Sequence, residues 1–147
     1  MTRLIGIDPG KQGAFAVMDD YESELSVKTY DMPGTLDGKR QLISDIGVVK
    51  CAWLERPFFP RMIGIKNAVT IATAYGELKA CLFFAGIPTF EVDPSAWKKS
   101  MHLTTDKNAS RALASQYFPD ASDQWARVKD DGRAEAALIA YYGWRKK

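Results

Sequence analysis

The chain has 147 residues, 46% of them hydrophobic and 26% charged, which suits one domain around one hydrophobic core. No apolar run approaches the ~20 residues that span a bilayer, and because the start runs into Ile5-Gly6-Ile7-Asp8, no signal peptide is expected. The net charge of +2 does not by itself mark a nucleic-acid binder, and one histidine with two separated cysteines disfavours a zinc site.

Arg3 to Ile7 is apolar and β-branched and stops at Asp8-Pro9-Gly10, so it predicts a strand. Ala14 to Met18 is a second short run, and Leu25 to Tyr30 alternates Leu25, Val27 and Thr29 against polar neighbours before Pro33-Gly34. Three strands with tight connections imply an antiparallel meander. From Gly38 to Val49 the spacing becomes helical through Leu42, Ile43, Ile46 and Val49. Cys51 to Leu54 is a short buried strand running into Glu55. Asn67 is a plausible N-cap for a long helix to Ala85, with Gly86 and Pro88 as stop signals. Thr89 to Val92 gives a fifth strand. A helix from about Lys107 to Phe118 ends at Pro119. The last starts near Asp131 and aligns Leu138, Ile139 and Tyr142. The order βββ-α-β-α-β-α-α describes a single α/β domain over residues 1–147. Its five-stranded mixed sheet is antiparallel first, then parallel, and flanked by helices.

Four acids sit where chemistry explains them more easily than architecture. Asp8 ends the first strand, Glu55 ends the fourth, and Asp131 and Glu135 share one face of the last helix at i, i+4. Structural alternatives stand beside each: Asp8 as a turn cap, Glu55 paired with Arg56 or Arg61, Asp131 as an N-cap. Against them, the i, i+4 spacing is wrong for a capping box, and two acids on one helical face repel. Gly132 adds helix cost and is expected to let a ligand's backbone come close. If the first and fourth strands are neighbours, all four carboxylates meet at one sheet edge. Carboxylates with few imidazoles or thiolates suit Mg²⁺ or Mn²⁺, and two such ions suit phosphodiester hydrolysis.

The segments Ile5-Gly6-Ile7-Asp8-Pro9-Gly10, Trp53-Leu54-Glu55 and Asp131-Gly132-Arg133-Ala134-Glu135-Ala136 resemble the RuvC-type Holliday junction resolvases. That resemblance covers nearly the whole chain and implies an RNase H-like fold, a homodimer, and four carboxylates (Asp8, Glu55, Asp131, Glu135) holding divalent metal. The final Asp-Gly-Arg-Ala-Glu departs from the best-known bacterial members, whose last pair is Asp and Asp three apart, and is more like phage and plant-organelle forms. Lys107 is similar to a basic catalytic residue of the family, Lys98 less closely so. Phe58 is similar to an aromatic that wedges against bases at the junction centre. The implied activity is metal-dependent cleavage of four-way DNA junctions in recombination or repair.

Basic residues are the expected DNA contacts: Arg56, Arg61 and Lys66 in residues 56–76, then Lys98, Lys99 and Arg111 in residues 96–111. The basic end Arg145-Lys146-Lys147 is a third cluster. Exposed Phe58-Phe59 suits base stacking, although a core pair is the structural alternative. Apolar residues on more than one side of the helix from Asn67 (Val69, Ile71, Tyr75, Leu78, Leu82, Phe83) suggest a dimer. No membrane and no nucleotide cofactor are expected, and the location expected is cytoplasmic. An RNase H-like ATPase would need two such domains. A nuclease for another branched DNA or RNA, or a non-catalytic junction binder, remains a competing reading.

Overall fold

A computed structural model describes residues 1–146; Lys147, in the basic C-terminal cluster, lies outside the described residues. Strands β1 (Thr2–Asp8), β2 (Ala14–Tyr21) and β3 (Glu24–Asp31) form the expected meander. Helix α1 (Leu36–Ile46) leads into β4 (Cys51–Glu55), then α2 (Ile65–Phe84) into β5 (Thr89–Val92). Helices α3 (Pro94–Ser100), α4 (Lys107–Tyr117) and α5 (Asp131–Arg145) complete the chain, with 3-10 turns at Pro119–Trp125 and Val128–Asp130. The sheet order is β3-β2-β1-β4-β5, with β1 parallel to β4 and β4 parallel to β5. This is the mixed α/β sheet expected. No helix among the described residues is long and apolar enough to cross a membrane.

Local chemistry set several boundaries differently from the apolar pattern. Helix α1 begins earlier because Thr35 caps it, its hydroxyl accepting from the Gly38 N–H at 3.0 Å. It ends at Gly47, whose φ of 80° breaks the helix before Val49. Helix α2 starts at Ile65 behind Gly64, so Asn67 lies within its first turn instead of capping it. Helix α3 was not expected: seven residues starting at a proline are too few to show a helical period.

Strand alternation sends the sheet's side chains into two cores. Ile5, Ile7, Ala52 and Leu54 pack with Ile43, Ile46, Leu78 and Leu82 of α1 and α2. Leu4, Cys51, Trp97, Ala114 and the alanine-rich buried face of α5 fill the other side. Gly6 belongs to that second face, where α5 comes so near that a Cβ would lie 2.2 Å from the Ala136 carbonyl oxygen and 2.4 Å from the Ala140 nitrogen. Both neighbours are backbone, so neither can move aside without shifting the helix.

Gly6→Ala is therefore expected to cost on the order of 3 kcal/mol or more, comparable to severe overpacking. Its denaturation midpoint measured against the wild type checks this; an unchanged midpoint would mean that α5 is not seated on β1 so closely.

Candidate active site

The strand register brings the first two acids together. Leu4 pairs with Cys51 and Gly6 with Trp53 across the parallel β1–β4 ladder. Two residues further along each strand, on the same face, come Asp8 and Glu55. That face carries α5, whose first residue is Asp131 and whose fifth is Glu135. Asp8 has its ionisation raised to about 8, first by burial, then by the charges of Glu55 and Glu135, with Asp131 adding to them; the Gly10 N–H, donating to its Oδ1 at 3.3 Å, opposes the rise. Glu55 rises to about 7, again first by burial, with the Trp97 hydrogen bond opposing and Glu135 adding. Each of the four acids thus contributes to one shared electrostatic field.

Every acid also has a partner. Lys107 Nζ lies 3.0 Å from Asp131 Oδ2, and Lys98 Nζ lies 3.4 Å from Glu135 Oε1. The lysine ammonium of residue 107 is raised chiefly by its hydrogen bond to Asp131, and Glu135 and Asp8 raise it further. Trp97, fully buried, donates its Nε1–H to Glu55 Oε2 at 2.6 Å. Neither Arg56 nor Arg61 pairs with Glu55; Arg56 reaches Asp93 at 3.4 Å instead. The N-cap of α5 is Asp130, leaving Asp131 as the first helical residue, so the capping role considered for Asp131 does not hold.

The head of α5 is locked independently of the acids. Asp130 is buried and accepts from Arg127 at 2.9 and 3.0 Å. Arg133 forms a two-pronged pair with Asp31 at the end of β3, at 2.8 and 2.9 Å, and donates to the Gln124 carbonyl. Gly132 corrects the expectation of an approaching ligand: a Cβ there would lie 2.2 Å from the Gln12 carbonyl oxygen of the β1–β2 turn. The protein's own backbone fills that space.

The basic residues divide. Lys98 and Lys107 stand at the acids. Lys99 shares with Lys98, His102 and Thr104 a shallow groove beyond α3. Arg61 and Lys66 are exposed near the start of α2, and Phe58 is 75% and Phe59 44% exposed between them and β4, so these aromatics are not a core pair. Arg111 is turned inward: its guanidinium donates to the carbonyls of Trp125 and Ala126 and to Asn108, which ties α4 to the turn ahead of α5. Of the two cysteines, both expected to be buried, Cys51 is and Cys81 is only partly so. The sequence reading did not single out Trp97 as a site residue, although an indole shortly before a lysine pair was its only visible trace.

The donor set is chemically suited to a hard divalent cation, being carboxylate oxygen throughout, and burial first, then neighbouring carboxylates, raises Asp8 and Glu55. With Asp131 and Glu135 drawn to lysines and Glu55 to an indole, no group of three or more His, Cys, Asp or Glu among the described residues is already arranged around a cation position. A cation held by Asp131 and Glu135 would compete with these lysine contacts.

Two measurements test this electrostatic account. The native protein binds more protons than the unfolded chain between pH ~4, where free carboxyls titrate, and about 8, where Asp8 does. Stability from this site is therefore fully present below that window and lost as pH rises through it. The melting temperature of Asp8→Asn relative to wild type should rise steadily from pH 5 to 8.5 without metal, and Mg²⁺ should narrow the gap; a difference independent of pH contradicts the burial and crowding of Asp8. Trp97→Phe keeps the packed ring but leaves Glu55 without its donor. It should weaken Mn²⁺ binding, followed by calorimetry, by roughly 10–100-fold; unaltered affinity would show that the indole does not orient Glu55.

No family model and no curated protein matches this chain. Solved structures do. RuvC of T. thermophilus in complex with a Holliday junction substrate superimposes with a TM-score of 0.69 at 14% identity, over 99% of this chain and 96% of that one. The yeast mitochondrial Holliday junction resolvase Ydc2 gives 0.61 at 14% identity, over 97% and 77%. The fowlpox virus Holliday junction resolvase gives 0.58 at 13% identity, over 99% and 98%. At such identities the likeness is one of architecture: the chain has the RNase H-like fold, in the five-stranded form to which these three proteins are similar.

Proposed function

We propose that this protein is a metal-dependent endonuclease that resolves four-way DNA junctions. The observation that carries the reading is the meeting of Asp8, Glu55, Asp131 and Glu135 at one sheet edge, flanked by Lys98 and Lys107. Of the three similar structures named above, one is RuvC in complex with a Holliday junction substrate and two are Holliday junction resolvases. Asp8, Glu55, Asp131 and Glu135 would hold Mg²⁺ or Mn²⁺, two ions per site. Bound there, the cations supply charge for the attacking and leaving oxygens of phosphodiester hydrolysis. Trp97 fixes one oxygen of Glu55 and leaves the other available. Lys107 and Lys98, displaced from the acids, are positioned to take the scissile phosphate. Phe58 stacks on bases at the opened centre, with Arg61, Lys66 and Lys99 on the backbone.

A second copy of the chain fits α2. Ile65, Val69, Ala72, Gly76, Ala80 and Phe83 repeat at three- and four-residue intervals, and all are exposed. Ile65 is 85% and Phe83 76% exposed, more apolar surface than a lone helix usually leaves in water. Small residues at 72, 76 and 80 let a partner helix approach closely. A two-fold pair would present two sites to a two-fold substrate.

Asp8→Asn, Glu55→Gln, Asp131→Asn and Glu135→Gln should each reduce cleavage of a labelled four-way junction by at least ~10³-fold, on the order of a lost electrostatic contact in an active site. Junction binding in EDTA should persist and fall steeply with salt. Cutting that continues in EDTA contradicts the metal; cutting of an RNA–DNA hybrid in preference to the junction favours the other nuclease reading. Separately, Val69→Asp and Gly76→Arg should shift the sedimentation equilibrium to monomer, and a wild type already monomeric at micromolar concentration rules out the α2 pair.

A further inference from the structure

A cavity of about 580 Å³ opens beside the acids and runs away from α5, over the ends of β1 and β4 to α1 and α2. Asp8 and Glu55 lie at one end of it. Its walls are mainly apolar: Met32 and Pro33 after β3, Pro57 and Phe58 after β4, and Ile71 and Ala74 on α2. The hydroxyls that line it are already committed, since Thr70 donates to the Lys66 carbonyl and Tyr75 to Glu91. Two lysines also line it, the exposed Lys11 of the β1–β2 turn and the buried Lys39. The Lys39 side chain is only 4% exposed, and its Nζ donates to Glu77 Oε1 at 3.0 Å. An ammonium has three N–H donors and no acceptor, so this contact leaves donor capacity at the cavity wall.

We propose that this cavity receives one nucleobase of the substrate strand, turned out of the helix next to the cleaved phosphate, and favours thymine and guanine, which carry a carbonyl oxygen (O4, O6) where cytosine and adenine carry an amino group. The proposal deepens the nuclease reading and rests on it for placing a DNA strand at the acids. A flat apolar ring fits walls of proline, methionine, isoleucine and aromatic carbon, and Phe58 at the rim can stack on it. A phosphate would lose its hydration against mostly apolar walls, with the carboxylates of Asp8 and Glu55 at one end of the space. Thymine O4 and guanine O6 accept where adenine and cytosine present amino groups, and an ammonium can only donate. Turning out a base is least costly where pairing is already broken, as at the centre of a branched substrate.

The test separates the pocket from the nuclease reading. Metal-free protein with labelled Met32, Ile71 and Ala74 methyls is titrated with the four deoxynucleoside 5′-monophosphates. The thymidine and guanosine nucleotides should shift these methyls in the millimolar range, with the other two about tenfold weaker, as one charge-assisted hydrogen bond gives. Ala74→Phe, which fills the cavity, should abolish the shifts. Replacing the ion pair as a whole, Lys39→Met with Glu77→Gln, should keep binding but erase the preference. Absence of shifts at millimolar nucleotide, or shifts surviving Ala74→Phe, overturns the pocket; preference surviving the double substitution overturns the role of Lys39. In parallel, a junction with an abasic nucleotide beside the cut should be cleaved about tenfold slower by wild type and no slower than the intact junction by Ala74→Phe. Intact junctions cut normally without nucleotide shifts would sink the pocket alone. Nucleotides seated in a protein that cuts no junction would sink the nuclease reading alone.

Discussion

The near-contact of α5 with β1 at Gly6 is the constraint from which the site follows. The backbone of Ala136 and Ala140 sits where any other residue at position 6 would place its Cβ. A helix so close to the sheet must present small side chains, and Ala134, Ala136, Ala137 and Ala140 are all fully buried on α5. The same closeness fixes its head against the β1–β2 turn, where Gly132 meets the Gln12 carbonyl. Two acids on the first turns of α5 are thereby suspended beside the end of β1. A larger residue at either glycine would lift them away together.

Crowding four carboxylates has a cost that the fold meets in three ways. Burial and neighbouring charge raise Asp8 and Glu55, so both carry protons over part of the neutral range. Lys107 and Lys98 lend positive charge to Asp131 and Glu135, and both come from segments distant in sequence. Salt bridges outside the crowded site, Arg127–Asp130 and Arg133–Asp31, hold the helix head so that repulsion cannot push it outward. Under the proposed function, a cation held by these carboxylates would compete with the lysine contacts and would leave Lys98 and Lys107 free to face an accompanying anion.

Helix α2 serves two surfaces. Leu78 and Leu82 reach the core, Ile71, Ala74 and Tyr75 wall the cavity by the acids, and Ile65, Val69, Gly76 and Phe83 face outward. Its apolar residues therefore surround much of the helix, and a single amphipathic direction is absent. Change on its outer face and change on its cavity face should have separable consequences, because the core leucines hold the helix in place between them.

The sequence by itself determined the elements and the candidate acids. A β-branched run halted by Asp8-Pro9-Gly10, a short strand ending in Glu55, and an i, i+4 pair opening a helix are local patterns, and local patterns survive without the fold. Strand β5 matched its expected limits, and α4 began where Asp106 caps it. What only the tertiary structure decided was which surfaces meet. Strand parity gives two faces, and the choice of face for Asp8 and Glu55 depends on where α5 packs. Trp97 is 42 residues from Glu55, on a helix too short to announce itself. Nothing in the sequence marks Lys39, which is buried beside Glu77 of α2, and Arg111 reads as a DNA contact until its guanidinium is seen among backbone carbonyls. Gly132 was read as room for a ligand, and the space proved to belong to the β1–β2 turn. Side-chain type and spacing are written along the chain, whereas pairing, burial and shared charge arise between segments far apart in it, and only packing brings those segments together.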